Sequence, residues 1–489
     1  MNQNVINTLH QQGLDHYRKG NYQQAIASFD AALELSANFS MAYINRGNIF
    51  HILGNYEKAI ADYNQAININ PNFAQAYHNR GNSYYALQAY QNAVTDYNRS
   101  LEINPNFATA YYNRGLIYAH LQNYHQAIKD FNQALTIVPD DIQVYYQRGL
   151  IYGNLGDYHQ AISDYNQALQ INPDLDIVYA FRANAHHQLG NYENAITDYN
   201  QSLQINPLLA TAYYGRGTVR EAMQDFVGAV ADYTQSISIS PESAPAYCKR
   251  GDAHKLLGNI QAAIQDYNQA LAIDSDFLAA YYHRGNIRYM IKDFTGTISD
   301  FSEALRLDPQ SAVFYSDRAN ARYALKDYKK AISDYTQAIS INPNLAEDWF
   351  NRGRSYFLLG ELKAALTDLT QAIHLQPRYP LAYLVRADIH RQLGNQLNAI
   401  TDFRKLDGKN IRIASTRPID AAAWQAFFTY LTVEERTIDG ARFWVADGEG
   451  FQFEPYREQV LSAIANRFYQ VPSWLPLYGC RFLEMYDFI

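Results

Sequence analysis

The chain has 489 residues, of which 40 are basic and 48 are acidic, and its formal net charge is −8. This balance argues against binding to duplex nucleic acid, which calls for a basic footprint, and it does not favour an anionic membrane. The two cysteines, Cys248 and Cys480, lack CxxC or other metal-site spacing. Two free thiols are typical of a reducing compartment, and we expect no metal and no cofactor.

The first twelve residues, MNQNVINTLHQQ, contain neither a basic start nor an apolar segment. We therefore expect no signal peptide. No run of about 18 apolar residues occurs, so we also expect no membrane-spanning helix. Together these features predict a cytoplasmic protein.

A 34-residue repeat runs through most of the chain without insertion or deletion. Prolines mark the period, and Ser275 fills the one gap in register. The marker residues are Pro71, Pro105, Pro139, Pro173, Pro207, Pro241, Pro309, Pro343 and Pro377. A period of roughly 20–50 residues is typical of stacked supersecondary units, which offer a long surface rather than a single catalytic pocket.

Residues 74–107 illustrate the predicted structure of one repeat. Tyr77 and Gly81 fall on one face of a first helix, helix A, and Tyr97 and Leu101 on one face of a second helix, helix B. A short turn separates the helices, and an Asn-Pro pair ends the hairpin because the residue before a proline disfavours the helical region. Other repeats have a glycine at the turn, which suits a left-handed C-cap, as at Gly54, Gly156, Gly190, Gly258, Gly360 and Gly394.

Small and large residues alternate where the two helices approach each other. Position 20 is Ala in eleven of twelve repeats, with Thr297 as the exception. Position 8 is always Gly or Ala: Gly13, Gly47, Gly81, Gly115, Gly149, Ala183, Gly217, Gly251, Gly285, Ala319, Gly353 and Ala387. Position 24 supplies the bulk: Phe29, Tyr63, Tyr97, Phe131, Tyr165, Tyr199, Tyr233, Tyr267, Phe301, Tyr335, Leu369 and Phe403.

These positions resemble the tetratricopeptide repeat, in a tandem array of the bacterial type. The resemblance covers about residues 6–408, in twelve repeats that start at residues 6, 40, 74, 108, 142, 176, 210, 244, 278, 312, 346 and 380. It implies an all-α superhelical solenoid in which helix A lines the concave face. We expect residues 1–408 to form the array and residues 409–489 a small C-terminal α+β module for capping or docking.

Position 7 is Arg and position 23 is Asp in repeats 2–12, whereas repeat 1 has Gln12 and Ser28. Because both are missing from the same repeat, we expect Arg and Asp to pair within a repeat as a structural ion pair. The alternative is a ladder of arginines that captures carboxylates from a partner. In repeats 7–10, position 11 is also basic: Arg220, His254, Arg288 and Arg322. These side chains are either a patch for an acidic partner or, as we prefer, stems packed along the seam between repeats with their heads in water.

Asparagine is frequent at positions 6 and 9 of helix A, opposite the core face. An Asn amide has donors and an acceptor, so it can bind the N–H and the C=O of an extended peptide. The motif NRGN is similar to the asparagine ladder in the superhelix of O-linked N-acetylglucosamine transferase, where the resemblance implies a grip on peptide backbone. The alternative is a solvated face copied by duplication.

We call these asparagines the asparagine stripe, and tyrosines at position 5 would add contact area. The predicted peptide-binding residues are Asn45, Asn48, Asn79, Asn82, Tyr112, Asn113, Tyr146, Asn184, Tyr214, Tyr282, Asn286, Asn320 and Asn351. The ladder is interrupted by Gln147, Phe181, Gly215, Lys249 and Asp317. Position 2 carries no Lys or Arg in repeats 2–12, so the carboxylate clamp of tetratricopeptide co-chaperones is missing and a chaperone adaptor is not expected.

Beyond the array, residues 418–431 and 455–469 are predicted helices, and Arg436–Val445 is a predicted hairpin with Asp-Gly at its turn. No established catalytic motif occurs. We therefore predict a non-enzymatic scaffold or adaptor whose concave groove binds a protein segment. Two alternatives remain open: repeats that recruit partners for a sensor or enzymatic module at 409–489, with the loop 447–450 as its centre, and an architectural rod that self-associates.

Overall fold

The computed structural model describes residues 2–405, 413–415, 432–438 and 441–447. The chain divides into two compact units, Met1–Leu257 and Gly258–Ile489. Among these described residues, the first unit has fifteen helices, and the second has nine helices and three strands.

In the first compact unit, each repeat begins with helix A and continues into helix B. The helices are α1 Asn2–Arg18, α2 Tyr22–Leu35, α3 Ser40–Ile52, α4 Tyr56–Ile69, α5 Ala74–Ala86, α6 Tyr90–Ile103, α7 Ala108–His120, α8 Tyr124–Ile137, α9 Ile142–Asn154, α10 Tyr158–Ile171, α11 Asp176–Gln188, α12 Tyr192–Ile205, α13 Ala210–Ala222, α14 Phe226–Ile239 and α15 Ala244–Leu256. Helices α1–α14 pack as seven hairpins, and α15 packs on α14.

The second compact unit continues the same pattern. Its helices are α16 Ile260–Ile273, α17 Leu278–Met290, α18 Phe294–Leu307, α19 Ala312–Ala324, α20 Tyr328–Ile341, α21 Ala346–Leu358, α22 Leu362–Leu375, α23 Pro380–Gln392 and α24 Gln396–Lys405. Helices α17–α24 pack as four hairpins, and α16 packs on α17. The predicted array of helical hairpins is confirmed, while the superhelix and the domain boundary at 408/409 stay predictions.

The turn between helices A and B has the same backbone in every repeat. Its residue at position 15 has a positive φ: 74° to 79° where it is glycine, as at Gly54, and 58° to 63° where it is Gln or Lys, as at Gln122. The left-handed conformation lets the chain reverse within two residues. Helix B then ends at an extended residue such as Asn104, with φ −131° and ψ 91°, immediately before the proline.

The core of hairpins such as those of repeats 2 and 3 forms where the ring at position 24 lies on the small residue at position 8. A Cβ atom placed on Gly47 would lie 2.8 Å from Cε1 of Tyr63, and one on Gly81 would lie 2.8 Å from Cε1 of Tyr97. Tyr63 is only 1% exposed. Glycine at this position therefore gains close packing of a buried ring, which offsets its cost of about 1 kcal/mol inside a helix.

Three strands follow the helices: β1 Ile413–Ser415, β2 Thr432–Ile438 and β3 Ala441–Asp447. They form an antiparallel sheet in the order β1-β3-β2, and Ile438 pairs with Ala441. This pairing agrees with the predicted hairpin, whose turn at 439–440 lies outside the described residues. The predicted helices at 418–431 and 455–469, and the loop 448–450, also lie outside them.

Candidate peptide-binding surface

The position 7 arginines make forked ion pairs inside their own repeats. In repeat 4, Nε of Arg114 donates to Oδ2 of Asp130 at 2.7 Å, and a terminal nitrogen donates to Oδ1 at 2.6 Å. Asp130 is 2% exposed. The predicted pairing within a repeat is confirmed for Arg46–Asp62, Arg80–Asp96, Arg114–Asp130, Arg148–Asp164, Arg182–Asp198, Arg216–Asp232, Arg284–Asp300, Arg318–Asp334, Arg352–Asp368 and Arg386–Asp402.

The same guanidinium also joins neighbouring repeats. The second terminal nitrogen of Arg114 donates to Oδ1 of Asn98, on helix B of the preceding repeat, at 2.5 Å. Its central carbon lies 5.5 Å from the centroid of the Tyr111 ring, a cation–π distance. With its side chain only 17% exposed, Arg114 is committed to internal partners. The arginines therefore join helices and repeats, and the alternative of a carboxylate-capturing ladder is not supported.

Three position 11 arginines do not keep their heads in water, so our preferred interpretation of them was wrong. Arg220 lies 2.9 Å from Oδ2 of Asp232, and Arg288 lies 2.9 Å from Oδ2 of Asp300. Arg322 pairs with Asp334 at 2.5 Å. Each buried carboxylate in these repeats accepts from two arginines. This second ion pair explains why a cation occurs where other repeats carry an aromatic residue.

The asparagine stripe forms a hydrogen-bond network between successive helices A. In repeats 2 and 3, Nδ2 of Asn79 donates to Oδ1 of Asn48 at 2.7 Å. The hydroxyl of Tyr63 donates to the same oxygen at 2.8 Å. The position 9 oxygen is therefore occupied by one donor from its own repeat and one from the next.

The network recurs with the same polarity. In repeats 3 and 4, Asn113 donates to Asn82 at 2.9 Å and Tyr97 donates to the same oxygen at 2.7 Å. Nδ2 of Asn113 also lies 3.2 Å from Nε2 of His78, a buried side chain whose pKa is lowered by that burial. In the second compact unit the matching bonds join Asn351 and Tyr335 to Asn320, at 3.4 and 2.6 Å.

The remaining members of the stripe differ. Nδ2 of Asn45 lies 2.8 Å from Nε2 of His10. Asn184 and Asn286 lack a partner in the next repeat, because Gly215 has no side chain to donate and Asp317 has no N–H when ionised. The structure thus brings three Asn pairs together and leaves the network open after repeats 6 and 9.

The four position 5 tyrosines lie half-buried beside other aromatic rings. Ring centroids are 5.9 Å apart for Tyr112 and Phe131, and 5.7 Å for Tyr214 and Tyr233. Tyr146 packs 5.7 Å from Phe181, and Tyr282 packs 5.8 Å from Phe314. They line helix A with partly exposed aromatic surface, while part of each ring belongs to the core.

Stacked helical hairpins with a 34-residue period define a tandem helical-repeat protein. Family models described as tetratricopeptide or TPR repeats match residues 6–39, 47–88, 81–122, 106–174, 183–224, 244–277 and 324–390. Together they cover more than half of the chain, which therefore belongs to the tetratricopeptide repeat family. No curated protein matches the sequence with statistical significance.

The chain is similar to several solved structures at low sequence identity. A tetratricopeptide repeat protein from Parabacteroides merdae is 24% identical, with 52% of this chain and 98% of that chain covered and a TM-score of 0.38. YrrB, titled a TPR protein with an unusual peptide-binding site, is 22% identical, with 38% and 95% covered and a TM-score of 0.35. A TPR protein fragment from Cytophaga hutchinsonii is 18% identical, with 49% and 98% covered and a TM-score of 0.43. Within the described residues of the present chain, no helix has the length and apolar character that a bilayer span requires.

Proposed function

We propose that this chain is a non-catalytic scaffold that binds an extended peptide segment along the asparagine stripe. The observation that carries the proposal is the network itself. It fixes the orientation of the amides in three Asn pairs, so a peptide that binds them loses less conformational entropy in ordering these side chains.

The polarity of the network defines what each amide offers to a peptide. In Asn82, Oδ1 is occupied by Tyr97 and Asn113, which leaves the Nδ2 hydrogens to donate to a peptide carbonyl. In Asn113, Nδ2 is occupied by Asn82 and His78, which leaves Oδ1 to accept from a peptide N–H. Repeats 3 and 4 therefore present one donor and one acceptor, the set that an extended backbone requires. In repeats 2 and 3 the donor of Asn48 remains, whereas Oδ1 of Asn79 already accepts from Gln75 at 2.7 Å.

Two further parts of the proposal rest on the sequence. Residues 409–489 are proposed to cap or dock the array, and strands β2 and β3, which pair antiparallel, belong to this segment. The protein works in the cytoplasm, supported by the free and buried thiol of Cys248.

An array of immobilised random peptides, probed with the full chain, tests the scaffold function. A double variant, Asn48→Leu and Asn82→Leu, removes two outward donors, and we expect captured peptides to bind about tenfold more weakly or worse. N-methylation of the peptide backbone should have a similar effect on the unmodified chain. Asn92→Leu, on the exposed side of helix B, is the matched control and should bind as the parent does. Equal binding by the double variant and the control would reject the proposal.

A further inference from the structure

A cavity of about 550 Å³ opens on the helix A side of repeats 5–7, within the first compact unit. Its lining comes from α9–α13 and includes Ala180, Asn184, Tyr199, Tyr214 and Gly215. Its volume lies within the roughly 300–1,000 Å³ of small-molecule and side-chain pockets.

The cavity exists because two repeat positions have lost their usual side chains. Position 6, which carries Asn in repeats 2–4, is Gly215 in repeat 7. Position 5, which carries Tyr in repeats 4, 5, 7 and 9, is Ala180 in repeat 6. The two residues line the same cavity from successive helices A, because Gly215 stands one repeat and one residue after Ala180. The space that a tyrosine ring fills at position 5 of other repeats is open here, while the Tyr199 ring lies where a side chain at position 215 would begin.

The position 24 ring of repeat 6, Tyr199, is placed differently from the corresponding rings of other repeats. Position 8 is Ala183, whose methyl group takes the place that the ring edge approaches in glycine-bearing repeats. The Tyr199 ring leans toward repeat 7 instead, and a Cβ atom on Gly215 would overlap its hydroxyl. Glycine at 215 is therefore needed for this ring position, and the ring forms one wall of the cavity.

The lining has aromatic walls and neutral polar groups. Tyr165, Phe181, Tyr199 and Tyr214 supply ring surface, and the amide of Asn184 is exposed beside them. No Asp, Glu, Lys, Arg or His is among the lining residues. A charged side chain would lose hydration there without gaining an ion-pair partner, whereas an uncharged ring would gain aromatic contacts.

We propose that this cavity is an anchor site for one uncharged aromatic side chain, best a tryptophan, of an extended peptide that continues along the asparagine stripe. The site deepens the proposed function and rests on it. It makes the scaffold selective, because the stripe reads only backbone whereas the cavity selects a residue type. Asn184 hydrogen-bonds to Tyr199 and has no Asn partner at position 215, so the rest of its amide is offered to the peptide groups that flank the ring.

The cavity can be tested with single capped amino acids on the full chain, without any peptide partner. The probes are N-acetyl-tryptophanamide and N-acetyl-lysinamide, titrated by calorimetry up to about 10 mM. We expect saturable binding of the tryptophan probe and none of the lysine probe. Ala180→Tyr refills the cavity with a side chain that four other repeats carry at this position, and it should weaken tryptophan binding about ten- to a hundredfold. His10→Tyr, at the same position of repeat 1 and outside the cavity, is the matched control.

Asn184→Asp is a second variant that keeps the shape of an exposed side chain. It should weaken the tryptophan probe and create measurable binding of the lysine probe. The anchor site is rejected if the tryptophan probe does not bind, or if neither variant alters its binding. Peptide capture on the array without probe binding would reject the cavity and leave the scaffold standing. If the chain sediments as an oligomer and the tryptophan probe dissociates that oligomer, the cavity binds a second copy of the chain. This result would overturn the peptide proposal.

Discussion

The side-chain amide of Asn79 donates to Oδ1 of Asn48 at 2.7 Å, although the two residues belong to successive repeats. The Tyr63 hydroxyl reaches the same oxygen from the core. One acceptor thus connects a core ring, its own helix A and the next helix A. The proposed binding groups therefore also help to hold the repeats in register.

This relationship predicts that the stripe contributes to stability. Asn48→Ala and Asn79→Ala should each destabilise the neighbouring repeats by about 1 kcal/mol, and the double variant should cost less than the sum. Hydrogen exchange of α3 and α5 is the suitable measurement, because repeat arrays open in parts. Asn92→Ala is the control. Strictly additive effects would show that the two amides do not interact.

Removing the carboxylate of a forked ion pair should be much more costly. Asp130→Ala leaves the Arg114 guanidinium mostly buried without its main partner, so we expect a loss of about 3–5 kcal/mol in unfolding free energy. Glu102→Ala breaks the exposed pair with Arg99 and should cost far less unfolding free energy, because water screens that pair. Urea unfolding of both variants makes the comparison. Similar losses of unfolding free energy would mean that burial does not determine how much these ion pairs stabilise the fold.

Two substitutions at the turn residue should change the stability of their repeats in opposite directions. Gln122 has φ 58°, which is strained for a residue with a side chain, so Gln122→Gly should stabilise repeat 4 by up to about 1 kcal/mol. Gly156 has φ 77° at the same position of repeat 5, and Gly156→Ala should destabilise that repeat by about 1 kcal/mol. Hydrogen exchange of the two hairpins measures both changes in stability. Changes in the same direction would contradict a common left-handed turn.

Asp317 provides a test by pH. Burial, with help from the carboxylates of Asp348 and Glu347, raises the pKa of Asp317 to about 6. Since this folded pKa lies above the unfolded value of 3.8, ionisation of Asp317 opposes folding. The penalty is complete above about pH 6 and disappears as the pH falls toward 4.

Asp317→Asn should therefore stabilise the chain at pH 7.5 by about 1–3 kcal/mol and have little effect near pH 4. Asn is also the residue that repeats 2–4 and 11 carry at this position. Thermal unfolding of variant and parent across this pH range provides the measurement. Asp174→Asn, which removes one carboxylate at an exposed site, is the control. A difference that grows on acidification would contradict the raised pKa.

Much of the fold could be predicted because the same local pattern of residues recurs in twelve repeats. The Asn-Pro ends, the glycine turns and the pairing of position 8 with position 24 all depend on residues within one repeat. Arg114 and Asp130 could be paired for the same reason, since repeat 1 lacks both partners. The hydrogen bond from Arg114 to Asn98 of the preceding repeat could not be predicted from the periodic pattern. Each repeat carries polar residues on several faces, and the pattern does not show which of them contact each other.

The sequence by itself determined the 34-residue period, the helical hairpin, the small and large core positions and the composition of the stripe. The tertiary structure decided which atoms of the stripe are occupied, where Arg220, Arg288 and Arg322 place their charges, and that Ala180 and Gly215 share one cavity. The physical reason is that periodicity reports the residue type at each position. Hydrogen-bond direction and empty volume depend instead on how a side chain meets its neighbour in the next repeat.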